Sequence, residues 1–133
     1  MTPEHRTHLR ALAARVRTEE PSDALRDAVL IAMEWITDGR GVWWRYVSPD
    51  GTLRPSPPNP LTSIDAAAAL MPEGWILTIE TPSGMGCTVD GAWDYGDEPD
   101  PEDCLSIYAE APTEPRARTA AALLAMAAEE DIA

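Results

Sequence analysis

The 133-residue chain contains no lysine and no phenylalanine, and its ten basic residues are all arginine. Against them stand 23 acidic residues, for a formal net charge of -13 and a pI near 4.3. A chain this poor in base lacks the positive footprint that phosphate backbones and anionic lipid require, which excludes a conventional DNA- or RNA-binding surface and docking on an acidic membrane. Without lysine, the turn Ser83-Gly84-Met85-Gly86 is missing the side chain that a phosphate-binding loop uses. The two histidines, His5 and His8, both lie near the N-terminus and no Gly-x-Ser-x-Gly is present, so histidine-assisted nucleophilic catalysis has no visible parts. Cys87 and Cys104 are unaccompanied by a Cys-x-x-Cys pair, so a four-ligand zinc site is not expected, and both are read as reduced thiols. His5 and His8 form a His-x-x-His one helical turn apart with no third ligand, the pattern of a solvated helix face. No stretch approaches the roughly 18 apolar residues of a membrane span. The longest candidate, Ala24 to Ile36, is interrupted by Arg26, Asp27 and Glu34. The first residues, Met1 to Arg6, lack the apolar run of a signal peptide, which leads to the expectation of a cytoplasmic protein.

What is present is enough for one core. Hydrophobic residues make up 44% of the chain, which sets it apart from disordered compositions despite 13 prolines, and the length suits a single domain over residues 1–133. Leu9, Leu12, Ala13 and Val16 recur at helical spacing and predict a helix over about 3–18, with Pro3 early, where its missing N–H costs nothing. Ser22 is placed to cap a second helix bearing Leu25, Val29 and Met33, expected to run to about Thr37. Residues 42–47 are β-rich and 54–60, with four prolines, read as an extended loop. Thr62-Ser63 caps a short helix that closes at Pro72-Glu73-Gly74, with Gly74 as its left-handed stop. Strands are expected at 75–80, 87–93 and 105–109, and a closing helix over about 116–129. The order α-α-β-α-β-β-β-α, with a mainly antiparallel sheet covered by helices, predicts an α+β fold as a three-layer α/β/α sandwich.

The segment Pro58 to Trp75, which includes Thr62-Ser63-Ile64-Asp65-Ala66-Ala67 and Met71-Pro72-Glu73-Gly74-Trp75, resembles the core signature of the Phage ABA sandwich domain family. Ser22 to Ala32 is similar to the family's short helix before an aromatic strand, and Ala109-Glu110-Ala111-Pro112 with Ala120 to Leu124 to its closing helix. The likeness spans roughly residues 5–129; the closing segment departs from it with Pro112-Thr113-Glu114-Pro115, and the acidic loop 94–103 is larger. The resemblance implies a phage or prophage origin, hence a bacterial host cytoplasm, and an α/β/α sandwich. It brings no catalytic residues, so an enzyme is not expected.

Charge is the informative feature. Residues 1–54 hold eight arginines and eight acids, whereas residues 55–115 hold twelve acids and no base. Part of that acidity lies in the loop Asp94, Asp97, Glu98, Asp100, Glu102 and Asp103. Its every-third-residue aspartates do not match a calcium loop, and its proline-broken context suits solvated carboxylates better than an acid–base pair. No metal or cofactor is expected. Segregated charge produces a directed field that speeds encounter with a basic partner. Adjacent Trp43 and Trp44 on a strand point to opposite faces, and an exposed one would anchor an interface. The expected function is therefore a small acidic phage-encoded protein that binds a protein partner with a basic surface. Its concrete form is an anti-defence (anti-CRISPR-type) inhibitor, a DNA mimic that occupies the nucleic-acid-binding surface of a host defence complex. The partner-binding residues would be Asp94, Asp97, Glu98, Asp100, Glu102, Asp103, Trp43 and Trp44. The alternative is a structural or assembly accessory of the phage particle, acting by homo-oligomerisation through Trp43 or Trp44.

Overall fold

The computed structural model describes residues 2–33, 36–38, 45–47, 49, 51, 53–54, 58–81, 86–94 and 105–129. Helix α1 spans Pro3–Thr18, with the Thr2 hydroxyl accepting from the His5 amide at 3.2 Å and Leu9, Leu12, Ala13 and Val16 buried on one stripe. Helix α2 spans Asp23–Ala32, capped by Ser22, whose Oγ accepts from the Leu25 amide at 3.1 Å. It is shorter than the sequence pattern suggests. The chain leaves the helix at Met33, and Ile36–Asp38 forms strand β1, pairing antiparallel with β2 (Arg45–Val47). The β-branched pair Ile36-Thr37 is a weak helix continuer, and a ladder partner at Tyr46-Val47 outweighs the apolar spacing that would extend α2. Strand β3 (Leu53–Arg54) completes this small antiparallel sheet in the order β1-β2-β3.

The second sheet runs β4 (Trp75–Glu80), β5 (Cys87–Trp93) and β6 (Ser106–Ala111), antiparallel in that order. Before it comes α3 (Ile64–Ala68), whose cap Ser63 accepts from the Ala66 amide at 3.2 Å. Asn59 shapes the approach: its side chain accepts from the Leu61 amide and its carbonyl from the Ser63 amide. Helix α3 ends earlier than expected, with Ala69 as a right-handed C-cap, so Gly74 does not stop it; Gly74 does adopt the left-handed conformation, φ 99°, in the turn that leads into β4. A Cβ there would lie 2.9 Å from the Trp93 ring, so both the conformation and the packing demand glycine. Trp93 meets Trp75 edge-on at 5.6 Å, and the Trp75 indole N–H donates to Glu129 at 3.2 Å, tying the start of β4 to the end of α4 (Glu114–Glu129).

The molecule is α+β, and its helices pack on the β4-β5-β6 sheet in layers as a sandwich does. The expected order of elements matches the observed one; β2 lies within the expected first strand, whereas β1 takes the place of the expected end of α2 and β3 reaches into the segment expected as a loop. Helix α4 packs on β5 and β6, and α1 and α3 pack on α4. Consequently α4 is buried nearly all round, and its alanines, Ala117, Ala120, Ala121, Ala122, Ala125 and Ala127, let its neighbours approach closely. Two polar side chains on this central helix are also buried. Thr119 donates to the Pro60 carbonyl at 2.7 Å, holding the turn before α3. Arg116, 5% exposed, inserts its guanidinium at the end of α1, where it donates to the carbonyls of Val16 (2.9 Å), Arg17 (3.0 Å) and Glu19 (2.7 Å). Those carbonyls belong to or follow the last turn of a helix, where oxygens lack intrahelical partners and the dipole favours a cation. Among the described residues no helix is long and apolar enough to cross a membrane.

Arg116→Met keeps most of the side-chain volume and leaves three main-chain oxygens, that of Val16 buried and those of Arg17 and Glu19 partly so, without their donor. A charge-assisted hydrogen bond contributes about 1.5–3 kcal/mol, so the substitution is expected to destabilise the fold by about 3 kcal/mol or more. Thermal denaturation should register roughly a 10 °C fall in Tm for a chain of this size. Arg116→Lys, with a charge but no planar fork, should fall between the two.

Candidate functional site

The strands β4, β5 and β6 alternate strictly between two faces. Cys87, Val89 and Gly91 of β5 and Ile107, Ala109 and Ala111 of β6 are buried beneath the helices. The opposite face is open, and the register arranges it in three rows. Glu80, Thr88 and Glu110 form one row; Thr78, Asp90 and Tyr108 the next; Ile76, Ala92 and Ser106 the third. Apart from half-buried Thr88, all of these are exposed, including two large side chains that a sheet would ordinarily cover, Ile76 at 59% and Tyr108 at 51%. A shallow depression of about 490 Å3 runs over this face, lined by Ile76, Thr78, Asp90, Ala92, Ser106 and Tyr108 among others.

The face is acidic by construction. Glu80, Asp90 and Glu110 supply three carboxylates and none of the nine residues is basic. The Tyr108 hydroxyl donates to the Glu110 carboxylate at 3.3 Å. Its pKa is raised above the ordinary tyrosine range, first by local desolvation, then by Glu110 through charge and hydrogen bond, and by Asp90; Arg17 opposes the shift. At the rim, Arg17 of α1 donates to the main-chain carbonyl of Glu110 at 2.9 Å. A second cleft, of about 410 Å3, lies between the end of α2 and α3. It is lined by Met33, Pro49, Pro58, Ala66, Ala69 and Leu70, with Asp65 as its carboxylate.

Of the residues singled out by sequence, Asp94 is exposed at the end of β5, its amide donating to the Gly74 carbonyl at 2.7 Å. Asp97, Glu98, Asp100, Glu102 and Asp103 lie outside the described residues, as do Trp43, Trp44 and Cys104. His5 and His8 sit with ring centroids 6.3 Å apart on α1, and among the described residues no group of three or more His, Cys, Asp or Glu side chains is placed to hold a metal ion. Cys87 is a free thiol buried on the covered face of β5. Its pKa is raised, chiefly by burial and then by Glu114, against a smaller lowering by Arg118. Sequence reasoning missed Ile76, Asp90 and Tyr108. The polar phase Thr88-Asp90-Ala92 could have exposed the face. Ile76 and Tyr108, however, look like core residues in their apolar runs until the covered face of each strand is known.

No family model, curated protein or solved structure matches the chain.

Two titrations check this geometry. Cys87 should resist a thiol reagent at neutral pH in the folded protein and react on denaturation, as read by mass spectrometry of the labelled peptide; fast native labelling would contradict its burial. Tyr108, with its folded pKa raised, favours folding while protonated, and that contribution fades as pH rises through the raised value. Phenolate absorbance of Tyr108→Phe should therefore lack a component that titrates above the ordinary tyrosine range in the parent.

Proposed function

We propose that this chain is a protein-binding protein that docks through its acidic half on a basic surface of its partner. In its most concrete form it is a phage-encoded anti-defence inhibitor that occupies the nucleic-acid-binding surface of a host complex. The observation that carries the reading is the open sheet face, where three carboxylates and two exposed large side chains stand together with no base among them. Every residue on that face comes from the base-free stretch 55–115, so the charge segregation along the chain becomes a segregation in space. The likeness of Pro58 to Trp75 to a phage domain signature supports the origin. Apolar anchors within a field of one sign suit recognition by burial, with electrostatics setting the speed of encounter and the choice of partner. The same charge weighs against the self-association reading, because two such faces in register would set carboxylate against carboxylate.

Binding to a basic nucleic-acid-binding protein, followed by surface plasmon resonance, should weaken about tenfold or more from low to physiological salt and be competed by that partner's nucleic acid. Reversing Asp97, Glu98, Asp100 and Asp103 to lysine should slow association while leaving Tm nearly unchanged. Salt-insensitive binding would sink the electrostatic reading. A stable closed oligomer in light scattering, with no such partner bound, would favour the assembly role.

A further inference from the structure

The open face is uneven in a way that general acidity does not require. In its second row Asp90 stands directly between Thr78 and Tyr108, and in its third row the small side chains of Ala92 and Ser106 leave a floor beside exposed Ile76. The Tyr108 hydroxyl is held by Glu110, two residues along the same strand and in the row away from Ala92 and Ser106. That tether draws the ring along β6 and leaves the depression over Ala92 and Ser106 open, with aromatic, aliphatic and carboxylate surfaces at its border. Asp90 and Glu80 make no ion pair among the described residues, whereas Asp23, Asp27, Glu19 and Glu114 are each committed to an arginine of their own helix or cap.

From this juxtaposition we infer that the depression between Ile76 and Tyr108 is a groove for arginine side chains of the basic protein partner, the guanidinium lying against the Tyr108 ring and hydrogen-bonded to Asp90, its methylene stem along Ile76 and Ala92. The inference rests on the acidic-docking reading and deepens it. Arginine fits better than lysine for two reasons. Its planar, weakly hydrated head can stack on an aromatic ring while still donating to a carboxylate in the ring's plane of approach. Lysine's compact, strongly hydrated ammonium gains the charge attraction but not the stacking. A second copy of this chain does not fit, since it brings further carboxylates, and a nucleic acid is repelled by the same three acids.

The full chain can be titrated at low salt with a short arginine–glycine peptide and with its lysine–glycine counterpart, using calorimetry for affinity and NMR to map the contact. The arginine peptide is expected to bind about fivefold more tightly than the lysine peptide, with shifts centred on Ile76, Asp90, Ala92 and Tyr108. Tyr108→Ala, on an exposed position, should erase the preference, and Asp90→Asn should weaken both peptides. The lysine reversals at 97, 98, 100 and 103 should leave the preference intact. Equal affinities for the two peptides, a preference that survives Tyr108→Ala, or shifts centred elsewhere would overturn the arginine groove while leaving acidic docking standing. Failure of the parent chain to bind either peptide would overturn both.

Discussion

One buried guanidinium ties the end of α1 to α4 within the apolar core that the two helices share. Arg116 leaves the first turn of α4, is almost wholly buried, and closes the end of α1 by donating to three of its terminal carbonyls. Helix ends are where main-chain groups lack partners, and burying one without a donor is costly. Here the donor arrives from a helix 100 residues away in sequence, so the cap of one element and the docking of two elements are one interaction. It also explains why the central helix tolerates charge at all: the cation sits at the negative end of the α1 dipole, with its donors satisfied by main-chain oxygens. Thr119 repeats the device one turn later on the Pro60 carbonyl, and Trp75 to Glu129 repeats it at the far end of α4. With its ends and middle fixed this way, α4 is free to be built of alanine, and the sheet can lie close against it.

That arrangement decides what is left for function. Among the described elements, α1 and α4 pack on one another and on one face of the second sheet, and the other face of β4, β5 and β6 is left open. The chain places there the feature most visible in its composition, acidity without base, and adds Ile76 and Tyr108, which are poorly suited to solvent and well suited to an interface. In the proposed reading, the covered face serves stability and the open face recognition.

Much of the fold can be read in the sequence because its signals are local. The caps at Ser22 and Ser63, the left-handed Gly74 and the bounds of β4 and β5 all follow from residue types acting within a turn or a strand. Where the reading strayed, a distant partner had intervened: α2 stops short because Ile36-Thr37 is claimed by a ladder with Tyr46-Val47. Arg116 reads as an ordinary first-turn arginine, since nothing in its neighbourhood reveals the α1 carbonyls waiting for it. The candidate site was legible in sign and not in place. Its charge follows from counting residues 55–115, but which of two strand faces is exposed depends on where α4 lands, and only then do Ile76 and Tyr108 separate from the core residues beside them.

The central claim, that buried polar contacts from α4 weld α1, α4 and the sheet into one unit and leave the opposite face of that sheet open, is tested most directly by native-state hydrogen exchange across a denaturant series. The account predicts that the last-turn amides of α1, the interior of α4 and the central strand β5 converge on one opening free energy, that of global unfolding. Exchange of α1 through a separate, lower-energy opening while α4 and β5 remain protected would show that Arg116 does not couple the two helices, and would contradict it.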